Sequence, residues 1–440
     1  MSTSRTRTIL TLALPVIGGM VSQNVLNLVD TAMVGSLGSA ALGAVGMASF
    51  ATFMSQAFIM ALGTGVQAIA ARRLGEGRAG EVAVPLNGGL LLALVLGLPI
   101  AGLMWLLSPV IFALLSDDPE VVALGIPYWQ SRIFSLVAVG MNFCFRGYWN
   151  GINRSGLYLL TLLVMHAVNI FLNYVLIYGK LGAPALGTTG AGIGTTISLW
   201  VGTFVYIYFG RRYASDAGFL RGLPDAATLR GMLRLSLPSG IQQLFFAAGL
   251  TALSFIVGKV GTHELGAVNV LLNVTMVALL PGLGFGIVAA SQVGQALGRK
   301  DPDDARRWGW DVTRVGAVTL ALLGLPMFLF PEPILRVFID DPAALEVARL
   351  PLRLSGGLIA IEGVAAVLTN ALIGAGDTRR IMFLSVGAQW LLFLPVAYLV
   401  GPTLGHGLLG VWIAYLAYRA LLAALVAAMW AGGRWVGIRV

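Results

Sequence analysis

Leu12-Ala13-Leu14-Pro15 returns as Leu235-Ser236-Leu237-Pro238, and the offset of 223 residues between them persists. Gly35, Gly38, Leu42 and Gly43 recur as Gly258, Gly261, Leu265 and Gly266. Leu74-Gly75 recurs as Leu297-Gly298, Asp117-Asp118-Pro119 as Asp340-Asp341-Pro342, and Gly151 as Gly374, with no gap. Two copies of one apolar unit fused head to tail is a recurrent plan of membrane transporters.

Composition agrees. The chain of 440 residues is 58% hydrophobic and 11% charged, more apolar surface than a water-soluble domain can hide. Several segments reach the ~20 apolar residues needed to cross the hydrocarbon. The 57 glycines suit close helix approach in a bilayer. Cys144, the sole cysteine, excludes an intrachain disulfide and a cysteine metal site. Arg5 and Arg7 precede an apolar run too long for a signal-peptide core, so it is expected to be an uncleaved first span.

Twelve spans are predicted, near 9–35, 42–71, 84–112, 122–150, 156–178, 188–210, 232–259, 264–296, 306–330, 347–373, 380–401 and 407–432. Residues 1–210 form one six-helix bundle, 211–230 a polar linker, and 231–440 the second bundle. The linker is expected to include a short surface helix near Ala226 to Leu233. Six spans per repeat leave both copies in one orientation, related by a pseudo-twofold axis along the membrane normal. The fold class is therefore an all-α polytopic membrane protein.

The net charge of +9 follows the same topology rather than a nucleic-acid surface. Of 28 Lys and Arg, twenty fall on one side, from Arg5 through Arg72 and Arg73 to Arg434 and Arg439. Only Lys180, Lys259, Arg336 and Arg349 fall on the other, and Arg132, Arg314, Arg353 and Arg419 lie inside spans. The asymmetry predicts cytoplasmic termini, with the Asp-Asp-Pro loops outside as caps that open spans 4 and 10.

Asp30 is the leading functional candidate. Gln23, Asn27 and Asp30 share one face of span 1 at i, i+4 and i+7. A carboxylate in a span is costly, usually faces a cavity and does work there. His166, Asn169 and Asn173 share a face of span 5, suited either to a carboxylate or cation or to plain helix–helix adhesion. Thr195 and Thr196 in span 6 are weaker candidates, because Thr bonds its own helix backbone. Glu362 lies mid-span in span 10, with Asn370 two turns on and Gln389 expected nearby. It reads either as a substrate or ion residue or as the partner of Arg353 or Arg419. Pro15 and Pro238 sit inside the first span of each repeat, as hinges or as static bends. No Gly-x-x-x-x-Gly-Lys-Ser/Thr loop and no catalytic or zinc-ligand cluster is present, so an enzyme is not expected.

With these residues in place, the chain resembles the multidrug and toxic compound extrusion family end to end. The resemblance rests on the Leu-x-Leu-Pro helix, Asp30 fifteen residues after Pro15, Val34-Gly35, Gly190-Ala191-Gly192, Gly298 and the loop Gly374-Ala375-Gly376-Asp377-Thr378-Arg379. It looks most like the DNA-damage-inducible branch. The resemblance implies two bundles forming a V around a central cavity, and export of amphiphilic or cationic compounds in exchange for H+ or Na+. It implies ion coupling at Asp30, Asn169, Asn173 and Thr195 and bending at Pro15; Gln23, Asn27, His166 and Glu362, read from their helix faces, are expected to line the substrate cavity. Relatives often carry Asp where this chain has Asn173, which favours H+ over Na+ at Asp30. The expected partners are small molecules and the bilayer of the bacterial inner membrane, with no cofactor, no nucleic acid and a monomeric chain. A lipid or lipid-linked oligosaccharide flippase is the alternative, disfavoured by the few basic residues inside spans.

Overall fold

The computed structural model describes residues 3–438, so Arg439 of the basic side lies outside them. Among the described residues the chain is helical, without strands. The first repeat runs α1 (Thr3–Gly35), α2 (Ser39–Met60), α3 (Leu62–Gly75), α4 (Val84–Leu115), α5 (Pro119–Ile133), α6 (Leu136–Gly151), α7 (Ser155–Tyr178) and α8 (Gly187–Tyr213). The second runs α9 (Ala226–Gly258), α10 (Thr262–Gly298), α11 (Pro302–Leu329), α12 (Pro331–Leu335), α13 (Pro342–Ala375), α14 (Thr378–Gly387), α15 (Leu394–Tyr398) and α16 (Gly407–Ala431). Eleven helical segments are long and apolar enough to cross a membrane, and the bent pair α5–α6 makes a twelfth.

The sequence repeat is a structural repeat. Helix α1 maps onto α9 at both ends under the offset of 223, and the span Ser39–Gly75 maps onto Thr262–Gly298 in the same way. Asp118 and Asp341 cap their helices as expected, accepting from the Glu120 N–H and from the Ala343 and Ala344 N–H groups. Large side chains such as Leu114 and Leu391, each 82% exposed, face outward as lipid contacts would.

Three local features depart from the sequence reading. Residues 226–233 form no separate surface helix but the first two turns of α9. Span 4 is bent by 49° between α5 and α6. There Thr196 Oγ1 donates to Ser131 O at 2.8 Å and Trp200 Nε1 to Phe134 O at 3.1 Å. Side chains of α8 thus satisfy carbonyls at the break, an identifiable cause of a kink. Span 11 contains two wide turns, Ala388–Phe393 and Leu399–Thr403, the first ending just before Pro395 and the second containing Pro402. Pro cannot donate to the helix ladder, and a wide turn absorbs the resulting misfit.

Contacts divide the chain into two compact units, 18–240 and 1–17 with 241–440. The repeat boundary in the linker and these packing boundaries are different things. Each divides a helix, α1 after Ile17 and α9 after Gly240, two residues beyond Pro15 and Pro238. Helix α1 enters the core of the second unit through Ile9 and Ala13, both 0% exposed, alongside Val293, Leu320, Val367 and Trp412. The 18–240 unit packs Val34, Ala48, Phe112 and Trp129 together.

Candidate functional site

Within residues 18–240 the polar faces of α1 and α7 meet, and α8 completes them. Asn173 Nδ2 donates to Asp30 Oδ1 at 2.9 Å and to Asn169 Oδ1 at 3.2 Å. Asn169 Nδ2 donates to Thr195 Oγ1 at 3.1 Å, and that hydroxyl donates to its own backbone at Ala191 O, 2.9 Å away. Asn169 and Asn173 are buried, at 1% and 0% exposure, while Asp30 is half-buried. All four residues carried over from the resemblance are therefore hydrogen-bonded in series.

The same helices bring the predicted cavity residues into register one to two turns away. His166 Nε2 lies 3.3 Å from Gln23 Oε1, and Gln23 Nε2 donates to Asn27 Oδ1 at 3.1 Å.

The orientation of Asn173 decides what Asp30 meets. Both amide N–H groups are used, one on Asp30 and one on Asn169. Asn173 Oδ1 is buried without a hydrogen-bond partner. It rests against Gly194 of α8, where a Cβ would stand only 2.4 Å away. Asp30 thus receives a donor from Asn173, and the oxygen of that amide is turned aside. Arg132, in the last turn of α5 just before the bend, adds a positive charge within electrostatic reach of Asp30. Its Nε is buried and has no hydrogen-bond partner. Sequence spacing did not reveal this neighbour, because it depends on how α5 packs and not on spacing along one helix.

Glu362 is not free. Arg419 of α16 binds it through Nε at 3.1 Å and Nη2 at 3.0 Å, with side chains 2% and 12% exposed. Of the two partners offered by the sequence, Arg353 instead lies over the Phe328 ring at 5.3 Å. Gln389 does not reach Glu362 but donates to Phe246 O on α9, and Asn370 donates within its own helix to Ala366 O. Tyr415 and Tyr418, on the α16 face of Arg419, pack on Phe393 with ring centroids 5.6 and 5.1 Å apart. The expected cavity carboxylate is thus a neutralised pair beside an aromatic cluster.

The repeat shows what the fold itself requires. Adding 223 to Asp30 and Asn173 gives Leu253 and Val396, and subtracting 223 from Glu362 and Arg419 gives Val139 and Thr196. The hydrogen bond between positions 23 and 166 does have a counterpart, Gln389 Nε2 to Phe246 O at 3.3 Å. Helix α1 and α9 thus use one docking scheme, but each ionisable site exists in one copy only.

Comparison with known proteins agrees with this architecture. A family profile described as MatE matches residues 15–175 and 238–399, one stretch in each repeat. A probable multidrug resistance protein NorM of Synechococcus is 31% identical over 422 residues, 92% of this chain and 89% of that one. A protein of the same description from Thermotoga maritima is 25% identical, over 96% of this chain and 92% of that one. Among solved structures, a MOP-superfamily transporter from Pyrococcus furiosus superposes with a TM-score of 0.89 at 22% identity, covering 97% of this chain and 95% of that one. An outward-facing multidrug resistance MATE family transporter gives the same TM-score and identity, over 98% and 97%.

Proposed function

The chain belongs to the MatE family, and from that premise we propose that it is a secondary active multidrug exporter that exchanges amphiphilic or cationic compounds for H+ at Asp30. The observation that carries this reading is the hydrogen bond from buried Asn173 to Asp30 in one repeat, at positions that are the apolar Val396 and Leu253 in the other. A carboxylate that the duplicate fold does without is there for function, and such residues in membrane helices mark ion pathways.

H+ is favoured over Na+ by the surroundings of Asp30. A hard cation wants several oxygens and negative charge. Asp30 is offered an N–H group and a nearby guanidinium, while Asn173 Oδ1 faces Gly194. A proton needs only the carboxylate. Its arrival removes the charge that accepts the Asn173 bond, so the protonated and ionised states hold α1 to α7 differently. Such a difference is what allows one ligand to shift a conformational equilibrium. Pro15, two residues before α1 passes between the packing units, is the place at which α1 would bend. The reading includes a bacterial inner membrane with both termini in the cytoplasm, an orientation that the arginine asymmetry supports.

The test is uptake of a fluorescent organic cation into inside-out proteoliposomes under an imposed pH or Na+ gradient, for wild type and Asp30→Asn. Uptake driven by the pH gradient and lost in the variant supports the reading. Undiminished uptake by Asp30→Asn removes Asp30 from coupling, and no uptake under either gradient points to a lipid-linked substrate instead.

A further inference from the structure

The two repeats carry different side chains at one equivalent helix end. In the first, the end of α4 is covered by the chain itself. Asn87 Nδ2 donates to Gly218 O at 2.9 Å and to Gly222 O at 2.8 Å, and Asn87 Oδ1 accepts from the Leu220 N–H at 2.9 Å. The Ala83 N–H adds a bond to Ala217 O at 2.9 Å. The inter-repeat linker is thereby held across α4. At the equivalent end of α11 the described residues border a cleft of about 380 Å³.

The residues change to match. Ala83, Val84, Asn87 and Leu91 become, 223 residues on, Arg306, Arg307, Trp310 and Arg314, all lining that cleft. Asp311 also lines it, but Asp311 is shared by Arg5 at 3.2 Å and Arg314 at 3.4 Å. Asp304 is likewise occupied, by Arg5 and by Arg299 at 2.9 Å. Arg306 and Arg307 have no hydrogen bond or ion pair with another described residue. Gly433, at φ 70°, makes room for the Arg306 guanidinium, which would stand 2.4 Å from a Cβ there. Trp430, stacked on Trp435 with centroids 4.1 Å apart, closes the α16 side of the cleft.

We propose that this cleft binds the phosphate headgroup of an anionic phospholipid. Guanidinium forks suit phosphate oxygens. Trp310 is the kind of side chain that sits at headgroup level, and basic clefts between helix ends are typical anionic headgroup sites. The cleft lies at the arginine-rich ends of α11 and α16, where the membrane surface is expected. The inference does not depend on the coupling ion or on Asp30.

The test compares phosphatidylglycerol with phosphatidylcholine in nanodiscs, for wild type, the double variant Arg306→Gln/Arg307→Gln, and Arg221→Gln as a control in the exposed linker. Thermal unfolding and co-purified lipid are read together. Phosphatidylglycerol is expected to be retained by wild type and by the control and to raise their midpoints. The double variant should lose that preference on the order of tenfold, with an unchanged midpoint in phosphatidylcholine. Equal preference in the double variant and wild type would overturn the site. Inorganic phosphate reproducing the whole effect in phosphatidylcholine would make it a free-anion site and overturn the lipid assignment. Should the double variant fold poorly, a photoactivatable phosphatidylglycerol is applied to wild type. Labelling of the segment 306–314 supports the site, and labelling elsewhere refutes it.

Discussion

Asn173 Nδ2 lies 2.9 Å from Asp30 Oδ1 and joins α7 to α1 at a pair that the second repeat replaces with Val396 and Leu253. Leu253 is 0% exposed in the core of its unit. The fold therefore accepts an apolar residue at this register. Asp30→Leu is expected to keep expression and a thermal midpoint within a few degrees of wild type, while losing proton-driven uptake at least tenfold. A variant that fails to fold would assign Asp30 a structural role and remove the argument from the repeat.

Asn173 is the second lever on the same site. Asn173→Asp would place another carboxylate beside Asp30, replacing a donor with oxygens and charge. The pair then resembles a monovalent-cation site more than a proton site. A gain in Na+-gradient-driven uptake over wild type is the expected outcome. Uptake that follows only the pH gradient in both proteins would show that ion choice is not made at residue 173.

Glu362 and Arg419 form an ion pair within the helices of the second repeat, at 3.0 Å with both side chains nearly buried. Removing one partner of a buried pair strands the other charge at a cost of about 3–5 kcal/mol, whereas replacing both by apolar groups is often neutral. Arg419→Met is expected to lower the thermal midpoint sharply. Glu362→Leu/Arg419→Met should recover most of it. A double variant as unstable as Arg419→Met would point to the remaining lone pairs and the Tyr415–Tyr418 cluster as the larger contribution.

The sequence carried the frame of this site well, and the reason is periodicity. The offset of 223 fixes helix ends because it repeats glycines and caps, which act locally; the polar stripes of α1 and α7 follow helical spacing alone. What was not legible depended on partners distant in sequence. The bend at residues 134 and 135 comes with the Thr196 and Trp200 side chains of α8. The positive charge of Arg132 near Asp30 was hidden for the same reason, since it comes from α5, about 100 residues from Asp30 in the chain. The choice of Arg419 over Arg353 for Glu362 likewise rests on packing of α13 against α16, across 57 residues of chain.

At the opposite end of the helices from the arginines, Asp341 gives the protein an acid-sensitive contact. His263 Nδ1 lies 2.5 Å from Asp341 Oδ2. This bond, with the Ala343 and Ala344 N–H groups, holds the Asp341 carboxyl below the usual carboxylate range. A carboxyl lowered in the folded state contributes stability above its unfolded value, near about 4, and loses it as pH falls through the folded value. The midpoint difference between wild type and Asp341→Asn is therefore expected to be present at about pH 5 and to close as the pH falls below about 4. A difference that persists unchanged into acid would show that the cap geometry, not its charge, is what stabilises α13.

A glycine pair, Gly63 and Gly147, sets how closely α3 and α6 pack. A Cβ on Gly147 would stand 2.2 Å from Gly63 O, so the two backbones touch directly. The equivalent crossing in the second repeat has Gly286 against Asn370, where a Cβ on Gly286 would stand 2.7 Å from Asn370 Nδ2. One crossing carries a side chain and the other carries none. The side-chain amide can move aside; the Gly63 carbonyl cannot without shifting α3. Gly147→Ala is accordingly expected to cost about 1–3 kcal/mol, as overpacking does. Asn370→Ala should cost less, because its amide donates only to Ala366 O in its own helix, at 2.9 Å. Thermal unfolding of both variants in one detergent checks the order. A larger loss for Asn370→Ala would mean that the second crossing depends on that side chain, and that the two repeats hold their helices together by different means.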